Sequence, residues 1–146
     1  MEELAHLRRP AALARILHRT AELGFTMASE ERTGSLLRTL AASKPAGRFL
    51  ELGTGTGVAT AWLLDGMDRA SELISVDIDP KVQAVARDSL CGDARLTLIT
   101  EDGRSFLKRQ PPHSFDLVFA DAMAGKYEEL AARGENQQKT FPFGIV

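Results

Sequence analysis

The run Glu51-Leu52-Gly53-Thr54-Gly55-Thr56-Gly57 restricts the fold of this chain more than any other stretch. It follows Gly47-Arg48-Phe49-Leu50, which reads as the end of a buried parallel strand. It precedes Val58-Ala59-Thr60-Ala61-Trp62-Leu63-Leu64, which reads as a helix. Strand, glycine turn and helix in that order make the phosphate- or nucleoside-binding corner of a doubly wound sheet. Glycine suits the turn because its backbone reaches dihedrals that a Cβ opposes, and because a ligand can then touch the main chain. The spacing discriminates between ligands. A dinucleotide fingerprint requires G-x-G-x-x-G, and the third glycine position holds Val58. The glycines fall instead at 53, 55 and 57, with an acid two places before the first.

Later strand ends agree with a ligand-binding edge. Glu72-Leu73-Ile74-Ser75-Val76-Asp77 is a second short apolar strand ending in a carboxylate. An acid there can accept hydrogen bonds from both hydroxyls of an adenosine ribose. Asp79-Pro80 reads as an N-cap with proline at the first helical position. The helix that follows carries Val82, Val85, Ala86 and Leu90 at helical spacing. A third strand, Arg95-Leu96-Thr97-Leu98-Ile99-Thr100, runs into Glu101-Asp102-Gly103, and a fourth, Phe115-Asp116-Leu117-Val118-Phe119-Ala120, ends at Asp121. Acids at successive strand tips are how such sheets hold ligands at their carboxyl edge. For Asp79 and Asp102 taken alone, helix capping and ligand contact are equally open. For Asp77 beside the glycine run, ligand contact is the favoured reading.

A chain of 146 residues, 44% of them hydrophobic, supports one domain with its own core. The formal charge of −2, without a basic stripe and with few aromatics, disfavours a nucleic-acid partner. The single cysteine, Cys91, cannot form an internal disulfide and fits a reducing compartment. The first residues lack a signal-peptide pattern, and no segment approaches the roughly 18–20 apolar residues of a membrane span. A cytoplasmic protein with no membrane partner is therefore expected.

Residues 1–44 read as an N-terminal helical cap, 45–130 as the ligand-binding core and 131–146 as an atypical tail. Within the cap, Leu4, Leu7, Ala11, Ala14, Ile16 and Leu17 can form an apolar face, which Pro10 interrupts. Gly24 reads as a C′ glycine and Ser29 as the N-cap of a helix over 30–42 that buries Leu36, Leu37, Leu40 and Ala41. His6, His18 and His113 have no metal-ligand spacing and read as ordinary histidines. Trp62 and the methionines read as core, with Met27 a candidate exception.

From about residue 24 to 130 the chain resembles the O-methyltransferase branch of class I methyltransferases, which use S-adenosylmethionine (SAM). It is similar there to the catechol and caffeoyl-coenzyme A enzymes. The matching pieces are Thr26-Met27-Ala28-Ser29-Glu30-Glu31, Leu50 through Gly57, Ser75-Val76-Asp77-Ile78-Asp79-Pro80, Glu101-Asp102-Gly103, and Phe115 through Ala122 ending at Lys126-Tyr127. The resemblance implies an α/β, Rossmann-like three-layer sandwich with N-terminal helices and a mostly parallel sheet of strand order 3-2-1-4-5-7-6. It also implies that Glu51, Gly53, Thr54, Gly55 and Gly57 line the methionine half of the cofactor. Asp77 would hold the ribose, Ile78 pack on adenine, and Asp102-Gly103 lie near the adenine amino group. Met27, in the loop 26–29, would close over the methionine carboxylate.

By the same resemblance Asp121 is the catalytic residue, as a base or as a ligand of a divalent cation such as Mg²⁺, which would orient a small-molecule acceptor. The chain departs from the pattern here. The branch usually places a lysine three residues after this acid, where Ala124 stands, and Lys126 is out of register. Only four strands can be read, so the last strands of the full fold are missing and the fourth becomes an edge. Residues 141–146, or a second chain in a homodimer, are expected against that edge, where Pro142 is tolerable. The expected activity is SAM-dependent O-methylation of a small molecule. The alternative is a truncated SAM-binding module or partner subunit without catalysis. A nicotinamide-binding domain is argued against by Val58.

Overall fold

The computed structural model of the protein describes residues 7–121 and the backbone of Gly144–Ile145. Among the described residues five helices and five strands follow in the order α1 Leu13–Glu22, α2 Glu31–Ala42, β1 Arg48–Leu52, α3 Val58–Gly66, β2 Glu72–Asp77, α4 Pro80–Leu90, β3 Leu96–Thr100, α5 Gly103–Lys108, β4 Leu117–Ala120 and β5 Gly144–Ile145. The sheet order is β3-β2-β1-β4-β5. The first four strands are parallel, so their carboxyl ends share one edge. β5 pairs antiparallel with β4, Ile145 opposite Phe119 and Gly144 opposite Ala120. The expectation that the tail covers the β4 edge thus holds for these two residues. Pro142 lies outside the described residues.

The two faces of the sheet follow from the two-residue period of its strands. Phe49, Leu73, Leu117 and Phe119 point to the face covered by α1–α4, where Leu13, Ile16, Leu37, Trp62, Leu63 and Val85 complete the larger core. Leu50, Leu52 and Val76 point the other way and bury Phe106 of α5. Helices on both faces of a parallel sheet make the three-layer sandwich that the sequence implies. The central strands are buried on both faces, and apolar residues fill most of their inward positions, with Glu51 and Ser75 the buried exceptions.

Local chemistry sets the helix ends. Asp79 caps α4, its Oδ1 accepting from Lys81 N at 2.9 Å and Val82 N at 3.4 Å, with Pro80 next in line. Gly24, at φ +64, follows the C-cap Leu23 of α1 in the expected C′ place. Three expectations fail. Ala11, Ala14 and Leu17 are exposed, because α1 turns Leu13, Ile16 and Thr20 inward. The residue entering α2 is Glu30 without a side-chain cap, not Ser29. Leu36 is 50% exposed, because α2 turns only Gly34, Leu37 and Ala41 fully inward, with Leu40 half-buried against the core. Gly34 is needed there for a packing reason: a Cβ would stand 2.3 Å from the Trp62 ring. The Arg38 guanidinium covers that ring, 4.9 Å from its centroid. Cys91 is exposed at the end of α4 and free, and Leu4 and His6 lie outside the described residues.

Candidate active site

The glycine turn joins β1 to α3 through backbone that a side chain would oppose. Gly53, Gly55 and Gly57 have φ values of +97, +55 and +97. Gly57 also lies tight against α4, since a Cβ there would stand 2.7 Å from that of Ala86. The turn is tied to the β2 tip. Gly53 N donates to Val76 O at 2.7 Å, and Gly55 N donates to Asp77 Oδ2 at 2.7 Å. Asp77 Oδ1 accepts from Asp79 N at 2.9 Å. Two backbone N–H groups therefore hold this carboxylate in one orientation, and each oxygen retains a lone pair for a ligand.

Glu51 is the most unusual group of the site. It lies on the α1–α4 side of β1, opposite Ser75 in the register, with no solvent exposure. Its Oε1 accepts from Thr60 Oγ1 and Ser75 Oγ, both at 2.5 Å. Its Oε2 is buried without a hydrogen-bond partner. Burial pushes the carboxyl up to about 7 from 4.5, against the two hydroxyl bonds, and the negative charges of Asp121 and Asp77 push the same way. A buried acid with one oxygen unsatisfied is a place that a donor or cation completes.

The other expected residues cluster less tightly. Asp121, after β4, is held by its own N–H to Leu52 O at 2.9 Å, and its Oδ2 accepts from Ser29 Oγ at 2.9 Å. That bond explains why Ser29 does not cap α2. Met27 and Ile78 are large apolar side chains left 54% and 60% exposed, on the loop before α2 and beside Asp77. Phe25, in the same loop as Met27, brings its ring to within 3.4 Å of where a Gly55 Cβ would be. Asp102 is taken up in capping α5, where its Oδ2 accepts from Ser105 N at 3.0 Å, and Gly103 packs against Leu52. Among the described residues no group of three or more His, Cys, Asp or Glu side chains is arranged to hold a metal. Ala124, Lys126 and Tyr127 lie outside the described residues.

Residues that motif reading passes over lie under the turn: Thr60, Ser75 and Gln83 are all fully buried. Their signal is polarity at positions that periodicity assigns to the core. Ser75 shares a strand face with Leu73, and Gln83 shares a helix face with Ala86 and Leu90.

A parallel sheet with a glycine turn after its central strand and an acid at the next strand tip is the arrangement that nucleoside-binding α/β domains use. Comparison with known proteins narrows the class. The model of the methyltransferase domain family matches residues 50–135, and the chain belongs to that family. A Mycolicibacterium vanbaalenii protein named provisionally as an O-methyltransferase is 32% identical over 128 residues, covering 85% of this chain and 56% of its own. A Mycobacterium leprae protein of the same provisional name is 35% identical over 116 residues, covering 77% and 51%. The chain thus spans about half the length of the curated relatives it matches. Among solved structures, the SAH-bound methyltransferase PaMTH1 of Podospora anserina is 26% identical with a TM-score of 0.66, over 86% of this chain and 57% of its own. The O-methyltransferase TomG of Streptomyces achromogenes, in complex with SAM, has a TM-score of 0.75 over 88% and 61%, a likeness of fold at 24% identity. Among the described residues no helix is long and apolar enough to cross a membrane.

Proposed function

We propose that the chain binds SAM along the carboxyl edge of β1, β2 and β4 and transfers its methyl group to an oxygen of a small molecule. The observation that carries this reading is the unpartnered Oε2 of Glu51, buried under the glycine turn. Three carboxylates, those of Glu51, Asp77 and Asp121, lie near enough that the charges of the last two act on the first, which suits a ligand bearing an ammonium and a sulfonium. Glu51 would accept from the α-ammonium. Asp77, fixed by Gly55 and Asp79, would accept from the ribose hydroxyls, and Ile78 would lie on adenine. Asp102-Gly103 would border the base, and Met27 would cover the methionine end. In this reading residues 1–44 cap the site, 45–130 form the cofactor core and 131–146 are a tail.

When bound, SAM supplies an activated methyl on a sulfonium, so the protein's contribution is largely alignment. Asp121, held by Ser29 and the Leu52 carbonyl, would accept the proton of the acceptor hydroxyl. Mg²⁺ takes about six oxygen ligands. The described residues offer it no cluster, and no step here depends on it. We place the protein in the cytoplasm, consistent with the free Cys91. The second reading is a SAM-binding module without turnover.

Calorimetry with SAM and NAD tests the first step, with SAM binding and NAD not. Asp77→Ala should weaken SAM about tenfold or more, since a charge-assisted hydrogen bond contributes about 1.5–3 kcal/mol. Unchanged affinity defeats the ribose assignment. Methyl transfer to catechol-type acceptors, with and without Mg²⁺, then decides between enzyme and module.

A further inference from the structure

A directed chain of hydrogen bonds runs under the glycine turn, and Gln83 stands at its head. Gln83, in α4, has no solvent exposure. Its Nε2 donates to Ile99 O at 2.9 Å and to Thr54 Oγ1 at 3.1 Å, and its Oε1 accepts from Thr100 Oγ1 at 2.7 Å. A backbone carbonyl can only accept, so Ile99 fixes which end of the amide is nitrogen. The remaining protons follow. Ser75 has a single hydroxyl proton and gives it to Glu51 Oε1. Thr54 Oγ1, 2.7 Å from Ser75 Oγ, must therefore donate to Ser75. Thr60 brings a second hydroxyl to the same Oε1. Every donor converges on Oε1, and Oε2 is the oxygen left without a partner.

We propose that Gln83 is a positioning residue for the amino-acid end of the cofactor: by orienting Thr54 and Ser75 it holds Glu51 with Oε2 presented under the glycine turn. This rests on the SAM-binding reading above. With a hydrocarbon at position 83, Thr54 is free to turn its proton away from Ser75, and Ser75 is free to turn away from Glu51. The carboxylate then loses the bond that sets its orientation. The adenosine end is held by a separate set, Asp77 with the N–H groups of Gly55 and Asp79. The Gln83 side-chain amide bonds to none of them, and its backbone N–H, which donates to Asp79 O at 3.1 Å, is kept in any substitution. Loss of Gln83 is therefore felt at one end of the ligand.

The test compares two ligands on the folded chain by calorimetry. S-adenosylhomocysteine carries both ends of the cofactor, and 5′-methylthioadenosine carries adenosine without the amino acid. Gln83→Met, of similar length and without the amide, should weaken S-adenosylhomocysteine about tenfold and leave methylthioadenosine within about twofold. Ser75→Ala, at a buried residue outside the cofactor lining, breaks the same chain between Thr54 and Glu51 and should give the same split, which keeps the proposal testable if Gln83→Met does not fold. Equal losses for both ligands, or no loss for either, overturn the role of Gln83 while leaving SAM binding intact. A wild-type chain that binds neither ligand overturns the SAM-binding reading itself.

Discussion

Replacing Glu51 by Gln should change the pH dependence of stability in a way that can be worked from the structure. The carboxyl is held near 7 in the folded protein against 4.5 as a free side chain, chiefly by burial. Below about pH 4.5 both folded and unfolded chains carry the proton, and this group costs nothing. Between 4.5 and 7 the unfolded chain ionises while the folded one does not, so stability falls as pH rises. Above 7 the full cost is reached, about 3 kcal/mol at about 1.4 kcal/mol per pH unit. Glutamine keeps the shape and can still accept from Ser75 and Thr60, but it does not titrate. All other ionisable groups are shared, so their contributions largely cancel in the difference between variant and wild type. Urea denaturation followed by circular dichroism at pH 5, 6, 7 and 8 measures that difference. It should move by about 2 kcal/mol in favour of the glutamine variant across this range. A gap that stays constant would refute the reasoning, because it would mean that Glu51 is no harder to ionise in the fold than in water.

Three substitutions elsewhere test packing and capping. Gly57→Ala should cost about 1–3 kcal/mol by chemical denaturation, because the new Cβ meets Ala86 at 2.7 Å on a backbone of φ +97. Gly34→Ala should cost a similar amount, about 1–3 kcal/mol, and perturb Trp62 fluorescence, since the ring must move to admit a methyl group. Asp79→Ala removes two bonds at the start of α4 and should lower stability by about 1 kcal/mol, read from the denaturation midpoint.

The parts of the fold that were legible are those whose signal is local. Glycines at 53, 55 and 57, an acid closing each of the second and fourth strands, and Asp79-Pro80 all report their own backbone needs, and the structure realises each as strand, turn or cap. Ser29 shows the limit. A serine before a helix looks like an N-cap, yet its hydroxyl is claimed by Asp121, 92 positions away. Leu36 fails for a related reason: α2 packs through Gly34 against Trp62, which rotates its inward face away from that leucine. The polar set under the glycine turn was the least visible part. Glu51, Thr60, Ser75 and Gln83 come from four different elements, and only the sheet register and the packing of α3 and α4 bring them together. Asp102 had two open readings, and the structure records the capping bond.

The central claim is that the carboxyl edge around the glycine turn receives the cofactor, and amide chemical shifts during a SAM titration test it most directly. The account predicts that the largest shifts fall on Gly53 to Gly57, on Asp77-Ile78 and on Asp102-Gly103, saturating together with one affinity. Shifts confined to the opposite end of the sheet, in the groove that Arg69, Gly92 and Arg95 line, would contradict it.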